Sequence, residues 1–224
     1  MGYCVAIDGP AGAGKSTIAR LVAEKMNLVY VDTGAMYRAM ALFMLREKVS
    51  KDDPEGISRK CEEADITIKY ENGEQVVYLN GENVNALLRT EEVSNMASVS
   101  STQKAVRIKL VNLQKQMTKT TDVIMDGRDI GTCVLPDADV KIYLTANSSV
   151  RAKRRFDELQ AKGVECSLAE IEKDIIDRDY RDMHREESPL KQAEDAILVD
   201  TSGMTIEEVA EKIIGICEAK KRGF

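Results

Sequence analysis

The stretch Gly9-Pro10-Ala11-Gly12-Ala13-Gly14-Lys15-Ser16 fits the phosphate-loop pattern G-x-x-x-x-G-K-[ST]. Its flanks fit as well. The apolar run at 3–7 before it reads as a buried strand. After it, Thr17 opens a segment with Ile18, Leu21, Val22 and Met26 at helical spacing. Strand, glycine loop and helix in that order leave few folds open. Small residues let the backbone curl until successive N–H groups point inward, and with the helix N-terminus they form a positive nest for phosphate. Lys15 would reach the β- and γ-phosphates of a nucleoside triphosphate, and the Ser16 hydroxyl would ligate Mg²⁺. A plain glycine turn is the bland alternative. Lys15 and Ser16 in register favour the phosphate site, with residues Gly9 to Thr17 as its lining.

Four further short apolar runs, at 28–31, 122–125, 140–144 and 196–199, each end in a polar cluster, with helical patterns between them. This alternation predicts a parallel sheet covered by helices on both faces. In such sheets the ligand lies beyond the carboxyl ends of the strands. One segment breaks the pattern. Residues 66–70 alternate with period two, Asn72-Gly73 follows, and 75–79 is again β-rich, which is a hairpin signal. A further short strand is expected after Gly81. The hairpin reads as an inserted subdomain; an edge hairpin of the main sheet is the alternative. Ser167 with Glu170, and Thr205 with Glu208, read as capping boxes, and Ile206, Val209, Ile213 and Ile216 as the core stripe of the last helix.

The chain has 224 residues, 43% hydrophobic and 31% charged, which suits a globular protein with a real core. A net charge of −6 disfavours a general nucleic-acid or anionic-membrane binder. Five scattered cysteines without a C-x-x-C pair suggest neither a zinc site nor a disulfide framework. Cys4 and Cys217 read as small core residues. Reduced thiols suit the cytoplasm. A strand that leads straight into the loop argues against a signal peptide, and no apolar run is long enough to span a bilayer.

The residues after each strand carry the chemistry. Thr33 and Arg38 are spaced so that a hydroxyl and a guanidinium could hold one phosphate, or could be a helix start and a surface arginine. Asp126 closes a strand where such folds hold Mg²⁺, directly or through water. Gly127 leaves room for a ligand, Arg128 could take a phosphate, and Asp129 could accept from a base or ribose. A local Arg128–Asp129 salt bridge is the alternative. The basic run Arg151-Ala152-Lys153-Arg154-Arg155 is either a solvated face or an arginine-bearing lid. Arg178, Asp182 and Arg185, at i, i+4 and i+7, are expected on one helix face, as ligand contacts or as a plain surface salt-bridge ladder. His184 reads as a surface residue.

Taken in order, IDGPAGAGKST, DTGAMYR, the hairpin, EVSNMASVSSTQKAVR, MDGRDIGT, RAKRR and RDYRD resemble the bacterial cytidylate kinases of the nucleoside monophosphate kinase family over essentially the whole chain. The resemblance implies an α/β P-loop nucleoside monophosphate kinase fold. That fold has a five-stranded parallel sheet flanked by helices, a small antiparallel β insert and a short helical lid. It divides the chain into core 1–32, a monophosphate-binding insert 33–107 with the hairpin at 65–80, core 108–147, lid 148–166 and core 167–224. It implies ATP on Gly9, Pro10, Ala11, Gly12, Ala13, Gly14, Lys15, Ser16 and Thr17, with Mg²⁺ near Ser16 and Asp126.

The same resemblance puts the phosphate of CMP or dCMP against Arg38, Arg128 and Arg185, near Thr33 and Tyr37. It puts the ribose on Arg178 and Asp182, and cytosine on Ser98, Arg107 and Asp129. The family often has Ser where Thr33 stands; the hydroxyl is kept. Lys15, Arg128, Arg154 and Arg155 would neutralise the transferring group. A cytoplasmic monomer with no nucleic-acid or membrane partner is implied. Two rivals remain at this point. One is a P-loop kinase for another acceptor. The other is a nucleotide switch, whose guanine-specific N-K-x-D signature is not found in this sequence.

Overall fold

The computed structural model describes residues 2–71, 73–119 and 121–223. Asn72, the first residue of the expected Asn-Gly turn, lies outside the described residues. Five strands, β1 (Cys4–Asp8), β2 (Val29–Asp32), β6 (Val123–Gly127), β7 (Val140–Thr145) and β8 (Ile197–Asp200), form one sheet in the order β2-β6-β1-β7-β8. The central strand β1 is buried along its whole length and pairs in parallel with β6 and β7. Burial on both faces explains why its sequence is a run of apolar residues rather than an alternation.

Three more strands, β3 (Ile66–Glu71), β4 (Glu74–Leu79) and β5 (Glu82–Asn83), form a separate antiparallel sheet. The hairpin is therefore not an edge of the main sheet, and the short strand after Gly81 is present. The helices are α1 (Lys15–Met26), α2 (Thr33–Arg46), α3 (Pro54–Lys60), α4 (Glu91–Ser100), α5 (Lys104–Met117), α6 (Ser148–Ala161), α7 (Leu168–His184) and α8 (Ile206–Lys221).

The parallel strands run one or two residues further toward their carboxyl ends than the apolar runs suggest. Asp8, Asp32, Asp126 and Asp200 belong to strands rather than to the loops after them. The ladder is made by backbone groups and continues through a polar residue if its side chain finds partners. At Asp8 the partners are the Ile130 and Gly131 N–H groups, at 2.8 and 2.7 Å.

The chain divides into two compact units, residues 30–121 and residues 2–29 with 122–223. In the first, Met36, Met40 and Met44 of α2 pack with Ile57, Leu79, Val93, Val106 and Leu110. Unbranched methionine side chains fill the irregular space between a helix and a small sheet. In the second, α8 buries Val209, Ala210, Ile213 and Cys217. This corrects the expected stripe. Ile206 points the same way but sits in the first turn and stays 48% exposed, and Ile216 turns to the flank. Thr205 and Glu208 form the full capping box, and Ser167 caps α7 by accepting from the Glu170 N–H. Cys4 and Cys217 are buried thiols. Among the described residues, no helix is long and apolar enough to cross a membrane.

Candidate active site

The strand register sets the geometry of the second unit. Asp8 pairs with Gly127 on one side and Tyr143 on the other, so the loop after β1 starts level with the end of β6, while β7 runs on to Thr145. Gly9 has φ +151°, and a Cβ there would collide with the Leu144 carbonyl, so the turn out of the strand needs glycine. Gly14 precedes α1 in the left-handed region at φ +87°.

Lys15, the first residue of α1, is 6% exposed, and its Nζ donates to the Pro10 carbonyl at 2.7 Å. Burial lowers its pKa to about 7, and Arg128 pushes the same way against Asp126, Asp8 and Asp182. Such a cation gains from a polyanion set against it. Ser16 Oγ donates to Asp126 Oδ2 at 2.9 Å, and Asp126 is buried. A hydroxyl and a carboxylate side by side are two hard oxygen donors that suit Mg²⁺, an ion usually completed by phosphate oxygens and waters. No cluster of three or more His, Cys, Asp or Glu that could hold a metal exists among the described residues.

Arg128 and Asp129 do not pair with each other. Arg128 Nε donates to Asp182 Oδ2 at 2.9 Å, and Arg185 lies 3.5 Å from Asp129. Both acids are buried. Burial works against the charge of Arg128, but Asp182 and Asp126 outweigh it and hold the guanidinium charged. Burial also works against the Asp182 carboxylate, yet Arg128, Arg178 and Arg185 together keep its pKa below the ordinary value. The shared helix face needs correcting at one member. Arg178 and Asp182 lie on α7, but Arg185 is past its end in extended backbone, φ −66° and ψ 144°. Its Nε donates to the Ser188 carbonyl at 2.8 Å.

The basic run on α6 is divided between three jobs. Arg154 donates to the Thr201 carbonyl and hydroxyl at 2.8 and 3.2 Å, beyond the end of β8. Arg155 pairs with Glu158 on its own helix, half-exposed. Arg151 is buried. It donates to the carbonyls of Ala146 and Ala11 at 2.8 and 2.9 Å and pairs with Asp179 at 2.6 Å. It thus braces the glycine loop from behind.

Arg151 and Asp8 are the site residues that spacing did not reveal. Asp8 is 5% exposed, and its pKa is raised to about 6. Burial is the main cause and Asp129 adds to it, against the two N–H bonds and Lys15. An acid closing an apolar run just before the loop was its available signal.

The first unit holds the remaining candidates. Asp32 caps α2, its Oδ1 accepting from the Ala35 N–H at 2.8 Å, and its Oδ2 pairs with Arg38 at 3.0 Å. Arg38 Nε is buried with no hydrogen-bond partner among the described residues. Thr33 is buried at the start of α2. The Arg107 guanidinium lies 5.5 Å from the centre of the Tyr37 ring and donates to the Ser101 carbonyl at 3.3 Å. Ser98 is half-buried on α4.

The family model for cytidylate kinase matches residues 5–219. A cytidylate kinase of Lactobacillus gasseri is 50% identical over 218 residues, covering 97% of this chain and 95% of its own. A cytidylate kinase of Caldicellulosiruptor saccharolyticus is 50% identical over 210 residues, covering 94% and 93%. Among solved structures, an uncharacterized protein from Eubacterium ventriosum has TM-score 0.53 at 12% identity over 97% of this chain and 99% of its own. A shikimate kinase from Bacteroides thetaiotaomicron has TM-score 0.50 at 14% identity over 96% and 98%. These two share the fold. From the P-loop, its buried lysine and the whole-length family match, the chain belongs to the cytidylate kinase family and is a P-loop kinase that phosphorylates nucleoside monophosphates with ATP.

Proposed function

We propose that the protein converts ATP and CMP to ADP and CDP, and dCMP to dCDP, as a cytoplasmic monomer. The observation that carries the phosphoryl-transfer part is the charge balance around Lys15. Lys15 is buried, the partly buried Arg128 works against its charge, and an incoming phosphate offsets both effects. The nucleotide-binding assignments follow the resemblance. The loop from Gly9 to Thr17 takes the ATP phosphates. Arg38, Arg128 and Arg185 take the acceptor phosphate, with Thr33 and Tyr37 beside it, and Arg178 and Asp182 take the ribose. Residues 33–107 act as the acceptor-binding insert and 148–166 as the lid.

A phosphate oxygen of the monophosphate attacks the γ-phosphorus in line, the bond to the β–γ bridging oxygen breaks, and ADP leaves. That oxygen is already anionic at neutral pH, so no general base is needed, and the lone histidine, His184, is exposed. Catalysis is then positioning and charge neutralisation. Lys15 and Arg128 face the transferring group, and Arg154 and Arg155 join them from the lid. Ser16 and Asp126 would hold Mg²⁺, which would add positive charge at the phosphate oxygens.

Asp129 selects the base. A buried carboxylate accepts from the 4-amino group of cytosine, whereas uracil presents a second acceptor there that repels it. Arg107 donates to the base carbonyl and ring nitrogen, with Ser98 alongside. The test follows nucleotides with ATP present. ADP release should depend on CMP or dCMP, and the second product should be the cytosine diphosphate. Slow ADP release that ignores the acceptor would contradict the proposal.

A further inference from the structure

The inserted sheet is tied to β2 by two side chains. Tyr70 and Gln75 are register partners across β3 and β4. Strand β2 is outermost in its sheet, so one of its edges is open. Alternate residues of a strand turn their backbone groups to the same edge, and an open edge leaves them unpaired. Here they are served. Tyr70 Oη donates to the Tyr30 carbonyl at 3.2 Å. Gln75 Oε1 accepts from the Asp32 N–H at 2.8 Å, and Gln75 Nε2 donates to the Asp32 carbonyl at 3.1 Å. One side-chain amide thus does what a neighbouring strand would do.

Asp32 is thereby engaged at every polar group. Gln75 holds its backbone on both sides, Ala35 N–H holds Oδ1, and Arg38 holds Oδ2. The turn has little slack, because a Cβ on Gly34 would lie 3.0 Å from Arg38 Nη1 and 3.2 Å from Asp32 Oδ1. We propose that Gln75 is a positioning residue for the acceptor phosphate: it fixes Asp32, which fixes the guanidinium of Arg38. The insert is then part of acceptor recognition without touching the acceptor at Gln75. This inference rests on the proposed role of Arg38.

Steady-state kinetics of Gln75→Ala test it. The KM for CMP should rise about tenfold, as expected when a binding group is misplaced, while the KM for ATP stays at its wild-type value. Gln75→Glu keeps the shape and the acceptor for the Asp32 N–H but sets a carboxylate against the Asp32 carbonyl. Its KM for CMP, relative to wild type at the same pH, should be raised near about pH 8 and return toward unity near about pH 5, where the carboxyl regains a proton to donate. In an Arg38→Ala background, Gln75→Ala should add nothing, because both changes remove one effect. An unchanged KM for CMP in Gln75→Ala, or the same fold increase in both backgrounds, overturns the role of Gln75. An unchanged KM for CMP in Arg38→Ala alone overturns instead the assignment of Arg38 beneath it.

Discussion

At the scale of residues, Lys15 carries the strongest prediction. Its folded pKa of about 7 lies below the ordinary 10.5, so between those values the unfolded chain holds the proton more tightly. The free protein should therefore gain stability as pH rises through that window. A triphosphate against Lys15 restores the charge, so ATP binding near about pH 8 should take up a proton. Calorimetry in two buffers of different ionisation heat reads this directly; equal heats would contradict it. Lys15→Ala should lose activity by at least about a hundredfold while remaining folded.

Lys15, Ser16 and Asp126 were legible from motif spacing, because the chemistry demands those residue types at those offsets. Arg185 was legible as a candidate but misplaced, since spacing cannot say where α7 stops. Arg151 was hidden for a physical reason. A run of basic residues looks the same whether solvated or buried, and only Asp179 and two backbone carbonyls decide the difference.

At the scale of elements, that difference becomes a stability contrast within one helix. Arg151→Ala would leave Asp179 as a buried charge and the Ala11 carbonyl without its donor. The expected loss is about 3–5 kcal/mol, read by denaturant unfolding. Arg155→Ala, on the half-exposed flank, should stay within about 0.5 kcal/mol. Equal losses would contradict the brace. All five parallel strands were legible as apolar runs, and the insert as one alternating run and one β-rich run around an Asn-Gly pair. Their ends were not, because Asp8 and Asp126 continue the ladder with side chains satisfied by distant residues.

At the scale of the whole molecule, the proposal is a monomer of 24.9 kDa. Sedimentation should give that mass with and without nucleotides, and a stable dimer would contradict it. Membership of the family was legible because its motifs span the chain in order, whereas the pairing of Arg128 with Asp182 and of Arg185 with Asp129 required the fold. Asp129, buried and beside Arg185, is the acid proposed to choose the base. The most direct measurement is kcat/KM for CMP and for UMP, side by side, in the wild type and in Asp129→Asn. Cytosine recognition by a buried carboxylate predicts a wild-type preference of at least about a hundredfold that collapses in Asp129→Asn; equal values for the two acceptors in the wild type would contradict it.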